Sequence, residues 1–572
     1  MNSIWLILLL AVPLIGAVVG AFIPEASARG WALMVSLLTL VVSIILGAIL
    51  AGDPAHPPTL VTTPLPMIGA SFSLTVDPIS IWLVILTTFL MPLAIAASFG
   101  SITQRQKEYY AWMLALLVAM LGVFIARDLL LFYVFFELTL IPMFFIIGIW
   151  GGPERRYAAG KFFLFTFAGG VFTLAAAVYL GARFGTFDIP TVVARSQTEL
   201  SLTARWWVLL GLLAGFAVKT PLFPVHTWLP LAHTEAPTAG SVILAGVLLK
   251  LGTYGLLRLA VPIGLVGANG PVFPALVHFI AVICIIGIIY GALVAWVQPD
   301  IKKLVAYSSV SHLGFCVLGL FALNDIGMQG SVLYMINHGL STGAMFLVIG
   351  MIYDRYHTRD INKLSGLARN MPVLATFFIF FTLSSIGLPG LNGFVSEFLT
   401  TLGAFTSPYL DWRYGSLAAI GIILGAVYML HMAAKVIFGP LKTPAVEDHS
   451  TGHGGHDSHG HGGMSADIGL REIGILVPIA IAVIILGVKP GLVIGPMRGP
   501  IANIRTAAVP QNVAAAPAPS TAAPATTMTE AEQASVPGHS SSGGKAPDGV
   551  ALNRLAAPQA GRLNNCSARR DA

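Results

Sequence analysis

Six ionisable side chains stand inside long apolar stretches of this sequence, where a charge is expensive to bury. They are two carboxylates, two lysines and two histidines: Glu137, Lys219, Lys250, His312, His338 and Glu397. A charged group at the centre of a membrane-spanning helix costs at least ~2.5–3.5 kcal/mol, so each is a functional-site candidate by default. All six are of types that can bind and release a proton.

The residue types favour a proton relay. Burial favours the neutral form of lysine and of a carboxylic acid, whereas a nearby opposite charge favours the charged form. If Glu137 approaches or leaves Lys219, the lysine becomes a switchable proton site. Histidine titrates near neutral pH without such help. The alternative for Glu137 and Lys219 is a static ion pair that fixes helix packing, although buried pairs are weak evidence for stability. His312 and His338 could instead be interhelical hydrogen bonders.

The composition predicts that the bilayer surrounds these residues. Of the 572 residues, 56% are hydrophobic and only 10% are charged, whereas a soluble domain has roughly 25% charged residues. The net charge of +6 does not indicate nucleic acid, because there is no basic stripe with interleaved aromatic residues. We therefore expect the lipid bilayer, and no nucleic acid, among the partners.

Several classes of redox and nucleotide chemistry lack their motifs. The three cysteines, Cys284, Cys316 and Cys566, form no CxxC pair, so neither an iron–sulfur ligand set nor a disulfide framework is predicted. There is no glycine-rich phosphate-binding motif and no HExxH. Electron carriers and nucleotides, if involved, must bind partner chains, and we expect no metal site.

A membrane-spanning helix needs ~20 apolar residues. The apolar runs are 3–23, 31–51, 78–99, 109–126, 128–150, 160–182, 206–231, 238–260, 271–297, 302–322, 329–352, 372–404, 414–438 and 472–490. The first run has no basic region before it and no small-residue cleavage site after it, so it is interpreted as a retained helix. The sequence predicts an all-α polytopic membrane protein with about 14 transmembrane helices.

Basic residues in short loops predict the orientation, because cytoplasmic loops are enriched in them. Loops after odd-numbered runs contain Arg29, Arg105, Lys107, Arg155, Arg156, Lys161, Lys302, Lys303, Arg355, Arg359, Lys363, Arg369, Lys442 and Arg471. Loops after even-numbered runs contain only Arg127, Arg183, Arg195, Arg205, Arg258 and Arg413. The odd-numbered loops are therefore predicted to be cytoplasmic. The membrane is predicted to be a bacterial inner (plasma) membrane, and both termini then lie on its non-cytoplasmic side.

The composition of two segments does not predict membrane helices. Residues 440–471 form a His/Gly-rich loop, predicted to be cytoplasmic, and residues 497–572 form an Ala/Pro-rich tail. The loop's histidines are His449, His453, His456, His459 and His461. They could bind a borderline metal, but the intervening glycines provide no fixed geometry, so a solvated linker is favoured. The tail cannot bury enough apolar surface to fold and is predicted to be disordered.

Two apolar runs are interrupted by helix breakers. The seventh run contains Lys219-Thr220-Pro221, and the twelfth contains Gly387-Leu388-Pro389-Gly390. Broken helices at matching positions mark ion pathways in transporters. Because the breaks lie five helices apart, we predict two inverted five-helix repeats, at 109–261 and 262–439. Residues 1–108 then form three preceding helices, and 472–496 form the last one.

Several stretches resemble the antiporter-like membrane subunits of NADH:quinone oxidoreductase, respiratory complex I. The longest is KTPLFPVHTWLPLAHTEAPTAGSVILAGVLLKLGTYG at 219–255. Four further stretches are similar to the chain M type, called chain 4 in mitochondria: 135–144, 305–315, 336–346 and 359–372. LPGLNGFVSEF at 388–398 completes the set, and its Glu397 stands where the sister antiporter-like subunits carry Lys. The resemblance covers roughly residues 1–495.

The resemblance implies roles for the first three charged residues. Glu137 and Lys219 would be a coupled pair, and Lys250 would be the central proton site, supplied from the cytoplasmic side. The family has no redox centre on this subunit. FMN, iron–sulfur clusters and quinone are therefore expected on partner subunits, and the partners would be the other membrane and peripheral subunits of complex I.

The resemblance also implies how the proton continues. His312 and His338 would carry it along a polar axis in the middle of the membrane, and Glu397 would release it to the outside. His226, just after the first break, would support the path. The chain would then be a proton-translocating subunit that couples electron transfer on other subunits to pumping, and so part of a translocase.

Two other functions fit parts of the sequence. A cation/proton antiporter subunit would use the same charged residues, and its transport would depend on Na⁺ or K⁺ without any redox substrate. A membrane scaffold that only anchors its neighbours would leave the six buried ionisable residues unexplained.

Overall fold

The computed structural model of the chain describes residues 3–63, 69–267, 270–443 and 467–506. Helices dominate these residues. Up to the first break they are α1 (Ile4–Gly20), α2 (Glu25–Gly52), α3 (Ser80–Ala97), α4 (Gln106–Ile125), α5 (Leu129–Leu138), α6 (Leu140–Trp150), α7 (Arg155–Phe184), α8 (Ile189–Glu199) and α9 (Leu202–Lys219). A two-residue pair, β1 (Thr59–Leu60) with β2 (Leu74–Thr75), joins the loop after α2.

The first break is followed by α10 (Trp228–Glu235) and, after an extended Ala236 and Pro237, by a continuous helical rod over Thr238–Leu265. The rod comprises α11 (Thr238–Ile243) and α12 (Leu249–Gly255), with π-helical segments at Leu244–Leu248 and Leu256–Leu265. The remaining elements are β3 (Val266–Gly267), β4 (Gly270–Pro271), α13 (Pro274–Trp296), α14 (Ile301–Phe321), α15 (Asp325–Tyr356), a 3-10 turn (Leu367–Arg369), α16 (Pro372–Ser385), α17 (Asn392–Phe405), α18 (Trp412–Ile437), α19 (Leu470–Val488) and α20 (Gly491–Thr506).

The helices account for every predicted apolar run. In the described residues, 12 helices are long and apolar enough to cross a membrane, and Ile4–Gly20 and Pro372–Ser385 are shorter apolar helices. Helices are favoured because a lipid-exposed backbone must satisfy its hydrogen bonds within its own segment. Many large apolar side chains remain on the outer surface, such as Leu164 and Phe172 of α7, as expected for a protein surrounded by hydrocarbon.

Loops segregate to two ends of the helical bundle. The loops after odd-numbered runs hydrogen-bond to one another: Gly152 N donates to Glu235 O at 2.8 Å, and Arg359 donates to Thr234 O at 2.6 Å. The loops after even-numbered runs do the same, as when Ser71 N donates to Asp128 at 2.7 Å. We call these ends the odd-loop face and the even-loop face.

The first predicted break is present. Helix α9 ends at Lys219, and the chain turns through Thr220–Thr227 before α10 begins at Trp228. The indole nitrogen of Trp228 donates to Val218 O at 3.0 Å, so it satisfies a carbonyl that the break leaves free. Such internal satisfaction is what makes a broken helix tolerable in a membrane.

The second predicted break is also present, between Ser385 of α16 and Asn392 of α17. Gly387 and Gly390 adopt φ of +75° and +94° there, a conformation that glycine reaches without steric cost. Asn337 of α15 donates to Asn392 O at 2.7 Å, and Ser341 pairs with Ser384 at 2.7 Å. Polar side chains of α15 therefore take the place of the missing helical hydrogen bonds.

The N-termini of two helices in different halves of the chain have the same local structure. Asp128 caps α5 by accepting from Leu130 N and Leu131 N, and Asp300 caps α14 by accepting from Lys302 N and Lys303 N. Each aspartate also forms a β-bridge, to Asp188 and to Asp360 respectively. The first arrangement lies at the even-loop face and the second at the odd-loop face.

Helix α8 was not predicted from the sequence, because it is short and polar. It begins at a capped position, with the Asp188 carboxylate accepting from Thr191 N at 3.2 Å. Arg195 then donates to Glu199 one turn later at 2.7 Å. The Asp-x-x-Thr spacing was the signal available, since aspartate is a favoured N-cap.

The predicted start of the disordered tail, at residue 497, was wrong. Helix α20 covers 491–506, so part of the tail predicted to be disordered is helical. Its buried residues Val493, Met497, Ile501 and Ile504 recur at helical spacing, a pattern that the tail's average composition concealed. Both ends of the predicted His/Gly-rich loop are hydrogen-bonded to other segments. Lys442 pairs with Ser365 at 2.9 Å, and Asp467 accepts from Val373 N and Leu374 N at the start of α16. The loop's histidines and residues 507–572 lie outside the described residues.

Candidate functional site

Lys250 lies at the centre of the continuous helical rod. Its side chain is 0% exposed, and its Nζ donates to the carbonyl oxygen of Ala245, five residues earlier in a π-helical segment. Nζ also lies 2.7 Å from Nδ1 of His338 on α15. π-Helical turns often occur at functional sites, and here the turn brings a main-chain acceptor to the buried lysine.

The two histidines are neighbours. Their ring centroids are 5.7 Å apart, and Nδ1 of His312 lies 2.7 Å from the hydroxyl of Tyr334. Nε2 of His338 is buried and has no hydrogen-bond partner within the described residues. The His338 ring therefore has Lys250 on one side and His312 on the other.

Glu397 of α17 ends this series of contacts. The Tyr334 hydroxyl donates to its Oε1 at 3.0 Å, and the same oxygen lies 3.5 Å from Nδ1 of His312. The other His312 nitrogen, Nε2, lies 3.3 Å from the Tyr428 hydroxyl. Gly387 of the second break also packs against this carboxylate. A Cβ added to Gly387 would lie only 2.5 Å from Oε2 of Glu397.

A small polar cavity adjoins these side chains. Its volume is about 20 Å³, and it is lined by His312, His338, Glu397, Ser341 and Ser396, among others. A water molecule needs at least ~10–15 Å³ of such space and two to four polar partners. The cavity satisfies both conditions for about one water beside the second break.

The predicted pair of Glu137 and Lys219 is looser than a salt bridge. Lys219 Nζ donates to Thr139 Oγ1 at 2.9 Å and lies 4.9 Å from the ring centre of Phe136. Both carboxylate oxygens of Glu137 are buried and accept no hydrogen bond in the described residues. The two charges interact electrostatically without direct contact. A Cβ on Gly170 would lie 1.9 Å from Glu137 Oε1, so the carboxylate rests against a glycine, as Glu397 does.

Lys219 and Glu137 are set apart from the other four residues. Among the described residues, no direct hydrogen bond joins either of them to Lys250, although α9 and α12 pack closely where Gly252 meets Thr220. His226 also stands apart. Its ring lies 5.8 Å from that of Phe223 and 5.2 Å from that of Tyr290. Within the described part of the chain, no hydrogen bond or ring contact joins it to the other predicted site residues.

A larger cavity opens at the odd-loop face, on the other side of Lys250. Its volume is about 210 Å³, and its lining includes Glu235, Lys302, Asp354 and Arg359. Lys302 is buried and donates to Ala236 O at 2.6 Å. This lysine was counted as a loop cation from the sequence, and the structure instead places it in the first turn of α14 among charged groups.

His233 lies within electrostatic reach of both Lys302, which lines the cavity, and Lys250. It is fully buried and stacks on Phe346 with a centroid distance of 4.7 Å. Neither ring nitrogen has a hydrogen-bond partner in the described part of the chain, and the charges of both Lys302 and Lys250 act on the ring. A buried unpartnered imidazole is uncommon, because burying a polar group without a hydrogen bond is costly.

Sequence reasoning missed five residues of this site, including Lys302, which was interpreted as a loop cation. Tyr334 had a signal, because it precedes His338 by four residues and so lies on the same helical face. His233 stands near the end of an apolar run, where a polar residue is ordinary. Tyr428 and Thr139 had none, since their roles follow from contacts between distant helices. In the described residues no three His, Cys, Asp or Glu side chains cluster as a metal site would require.

The fold and the site define a class of protein. Paired broken helices with ionisable side chains between them, in a polytopic membrane bundle, are the features of ion transporters. Two family models match consecutive parts of the chain. "NADH:quinone oxidoreductase/Mrp antiporter, TM" matches residues 126–423, and "NADH-ubiquinone oxidoreductase chain 4, amino terminus" matches residues 7–125.

The curated relatives agree with the family models. NADH-quinone oxidoreductase subunit M of Rhodobacter capsulatus is 44% identical over 487 residues, which cover 82% of this chain and 90% of that protein. NADH-ubiquinone oxidoreductase chain 4 of Marchantia polymorpha is 39% identical over 508 residues, covering 87% and 96%. The chain belongs to the family of NADH-quinone oxidoreductase subunit M, or chain 4.

Solved structures show the same fold. A chain of respiratory complex I from Thermus thermophilus with bound NADH superposes with a TM-score of 0.76 and 28% identity, covering 88% of this chain and 100% of that one. A chain of the Mrp complex from Dietzia superposes with a TM-score of 0.74, covering 89% and 99%. The latter is 22% identical, so it is similar in fold alone.

Proposed function

We propose that this chain translocates protons as a membrane subunit of NADH:quinone oxidoreductase, through a relay of buried side chains. The observation that carries the proposal is the unbroken series of neighbours from Lys250 through His338, His312 and Tyr334 to Glu397. Each member can accept or donate a proton. A scaffold would not need this series, because each buried ionisable group is costly in a membrane.

Protons enter the relay from the odd-loop face in this proposal. The cavity beside Glu235 and Lys302 admits water, and His233 lies within electrostatic reach of both Lys302 and Lys250. The odd-loop face holds most of the basic loop residues, so it is the cytoplasmic side by the positive-inside rule. Both termini then lie outside the cytoplasm of a bacterial inner membrane.

The relay transfers its proton stepwise. A proton on Lys250 passes to Nδ1 of His338, then to the neighbouring His312, and through the Tyr334 hydroxyl to Glu397. Glu397 releases it outside, and water in the small cavity near Gly387 assists. Moving one charge against 100 mV takes ~2.3 kcal/mol, which a change in one charge–charge contact can supply at low dielectric.

Glu137 and Lys219 act as the control element. Because the carboxylate does not touch the lysine, the pair has an open arrangement, with Lys219 held by Thr139 instead. Closing the pair would stabilise the charge on Lys219 and repel a proton from Lys250. A conformational or electrostatic change in a neighbouring subunit that moves Glu137 would therefore drive the relay. We assign His226 only a supporting role in hydrating the first break.

The proposed architecture is fourteen crossings with two inverted repeats, 109–261 and 262–439. Two observations support it. The loops alternate between two faces along the whole described chain, as successive crossings require. The capped helix entrances at Asp128 and Asp300 have the same hydrogen bonds at opposite faces, as an in-plane two-fold relation predicts.

The redox chemistry belongs to partner chains in this proposal. Most iron–sulfur clusters are held by four cysteine thiolates, whereas this chain has three cysteines, of which Cys284 and Cys316 are buried free thiols. We therefore expect FMN, the clusters and the quinone site on other membrane and peripheral subunits. The chain is a translocase component of that enzyme complex, without a redox centre of its own.

The first test is to identify what the chain assembles with. A tagged chain is extracted in mild detergent, and co-purifying proteins are identified by mass spectrometry. The proposal expects flavin and iron–sulfur subunits and NADH:quinone activity. Recovery of small membrane partners alone, with transport that depends on Na⁺ or K⁺, would replace it with a cation/proton antiporter. That second function stands because the matching family model describes Mrp antiporters as well.

A further inference from the structure

An apolar groove lies on the membrane surface of the bundle, away from the relay. It is bounded by α2, α3 and α19 and encloses about 400 Å³. Its walls are apolar side chains, including Leu37, Leu40, Phe89, Leu93, Ile475 and Pro478. Each helix contributes residues over about two turns, so the groove runs roughly 10 Å along the helices.

Two arginines stand near the odd-loop end of this groove. Arg471 lines it, and Arg29 precedes the lining residue Leu33 by one turn of α2. The guanidinium of Arg29 lies 5.8 Å from the ring centre of Phe99. The guanidinium of Arg471 lies close to Gly100, the residue after Phe99, since a Cβ added to Gly100 would lie 3.6 Å from Nη2 of Arg471. Both side chains are exposed, and neither forms a hydrogen bond or ion pair with a described residue.

Helix stability does not explain these positions. Arg471 is in the first turn of α19 and Arg29 is in the second turn of α2. A cation near a helix N-terminus opposes the helix dipole. The adjacent carboxylate of Glu472 is no partner for Arg471, because it pairs with Arg355 at 2.7 Å. Asp354 also lies within electrostatic reach of Arg471, but no ion pair joins the two among the described residues. Both guanidiniums therefore keep hydrogen-bond donors free for an anion.

We propose that the groove binds an anionic phospholipid. The phosphodiester lies between the guanidiniums of Arg29 and Arg471, and an acyl chain fills the groove below them. Guanidinium binds phosphate through paired hydrogen bonds, and hydrocarbon is the matching ligand for the apolar walls. Two positive charges at one end and an uncharged interior select phosphatidylglycerol or cardiolipin over a zwitterionic lipid. This site goes beyond the proposed proton relay and does not depend on it.

Gly474 provides a variant that leaves charge unchanged. It lines the groove, and a Cβ added there would meet nothing within 4 Å. Gly474→Leu therefore fills the groove without disturbing the helix packing. Gly160→Leu is its control, because Gly160 of α7 also faces open space but lies outside the groove. For the arginines, the control is Arg156→Gln with Arg369→Gln, two cations elsewhere on the odd-loop face.

The test measures the lipids that remain with the assembled complex after purification in mild detergent, by native mass spectrometry and lipid extraction. Arg29→Gln with Arg471→Gln should weaken retention of anionic phospholipid by about fivefold for each guanidinium. Gly474→Leu should also reduce it, while both controls retain the wild-type amount. Unchanged anionic lipid in both the arginine and the glycine variants would overturn the proposal, as would an equal loss of phosphatidylethanolamine.

A photo-cross-linking residue in place of Leu37 tests whether the groove holds a phospholipid or a neighbouring protein. Leu37 lines the groove and is 45% exposed. The proposal expects a covalent adduct with phospholipid. An adduct with a protein would instead make the groove a contact with a neighbouring subunit and would overturn the lipid site. If the arginine variant does not assemble, Gly474→Leu and the cross-link decide the outcome.

Discussion

The ammonium group of Lys250 lies 2.7 Å from Nδ1 of His338, although the two residues are 88 positions apart in the chain. A charged lysine has donors only, so the imidazole must accept at Nδ1 and carry its own proton at Nε2. Transfer of the lysine proton would place the positive charge on His338, whose buried Nε2 has no hydrogen-bond partner in the described residues and would then be a free donor. The contact therefore gives a proton on Lys250 a direct route to His338.

Replacing Lys250 tests the start of the relay. Lys250→Met should lower NADH-driven proton pumping by at least about tenfold, because removing the central proton carrier raises the transfer barrier by ~1.4 kcal/mol or more. Pumping is followed with a pH-sensitive dye in inside-out membrane vesicles. Lys435→Met is the matched control, since Lys435 is an exposed lysine of α18. Equal pumping by the two assembled variants would remove Lys250 from the path.

His338 tests the middle of the relay. His338→Gln keeps a polar group beside Lys250 but cannot take up the proton, so we expect a loss of pumping similar in size to that of Lys250→Met. His278→Gln is the control, because His278 is exposed on the outer surface and its hydrogen bond, of 3.2 Å, is to Tyr414 and not to a residue of the relay. NADH oxidation by an artificial electron acceptor reports assembly. A pumping-competent His338→Gln complex would contradict the proposed route.

Tyr334 tests the link between His312 and Glu397. Tyr334→Phe removes one hydroxyl and nothing else, which breaks the bonds of 2.7 Å and 3.0 Å to these two residues. We expect lower pumping and a loss of about 2 kcal/mol in stability, because two hydrogen bonds of about 1 kcal/mol each are lost. Tyr157→Phe, at an exposed tyrosine, should change neither quantity. If Glu397→Gln lowers pumping while Tyr334→Phe does not, water rather than the tyrosine connects the histidine to the carboxylate.

Two glycines of the same helix test Glu137. A methyl group at Gly170 would displace the carboxylate of Glu137, whereas one at Gly160 meets nothing within 4 Å. Because the glutamate is flexible, Gly170→Ala should leave the complex assembled but move the charge relative to Lys219. We expect reduced pumping by Gly170→Ala and normal pumping by Gly160→Ala. Should both pump normally, the position of Glu137 does not control the relay.

Thr139 tests the open arrangement of this pair. Thr139→Val removes the hydroxyl that holds Lys219 at 2.9 Å while keeping the side-chain volume. With no competing partner, Lys219 should turn toward Glu137, and pumping should become less dependent on Glu137. The measurement is a double-mutant cycle with Glu137→Gln, in which a coupling energy above ~0.5 kcal/mol is the sign of interacting residues. Strict additivity would contradict a shared role.

Much of the site was predictable because a charge in hydrocarbon is conspicuous. Each of the six buried ionisable residues interrupts an apolar run, and the two helix breaks carry proline and glycine next to Lys219 and Glu397. These signals are local in the chain, so one sequence suffices to find them. His233 and Lys302 were not predicted as site residues because they stand near the ends of apolar runs, where polar residues are ordinary.

The sequence by itself determined the class of the protein and the parts of its site. Runs of about twenty apolar residues must form helices in lipid, because no water is present to satisfy the backbone, and this holds whatever the helices pack against. The tertiary structure alone decided which of the ionisable residues meet. Lys250 touches His338, and His312 shares Tyr334 with Glu397, whereas Glu137 and Lys219 stay apart. These relations depend on how α5, the rod at Thr238–Leu265, α15 and α17 pack, and packing between distant helices leaves no periodicity in the chain.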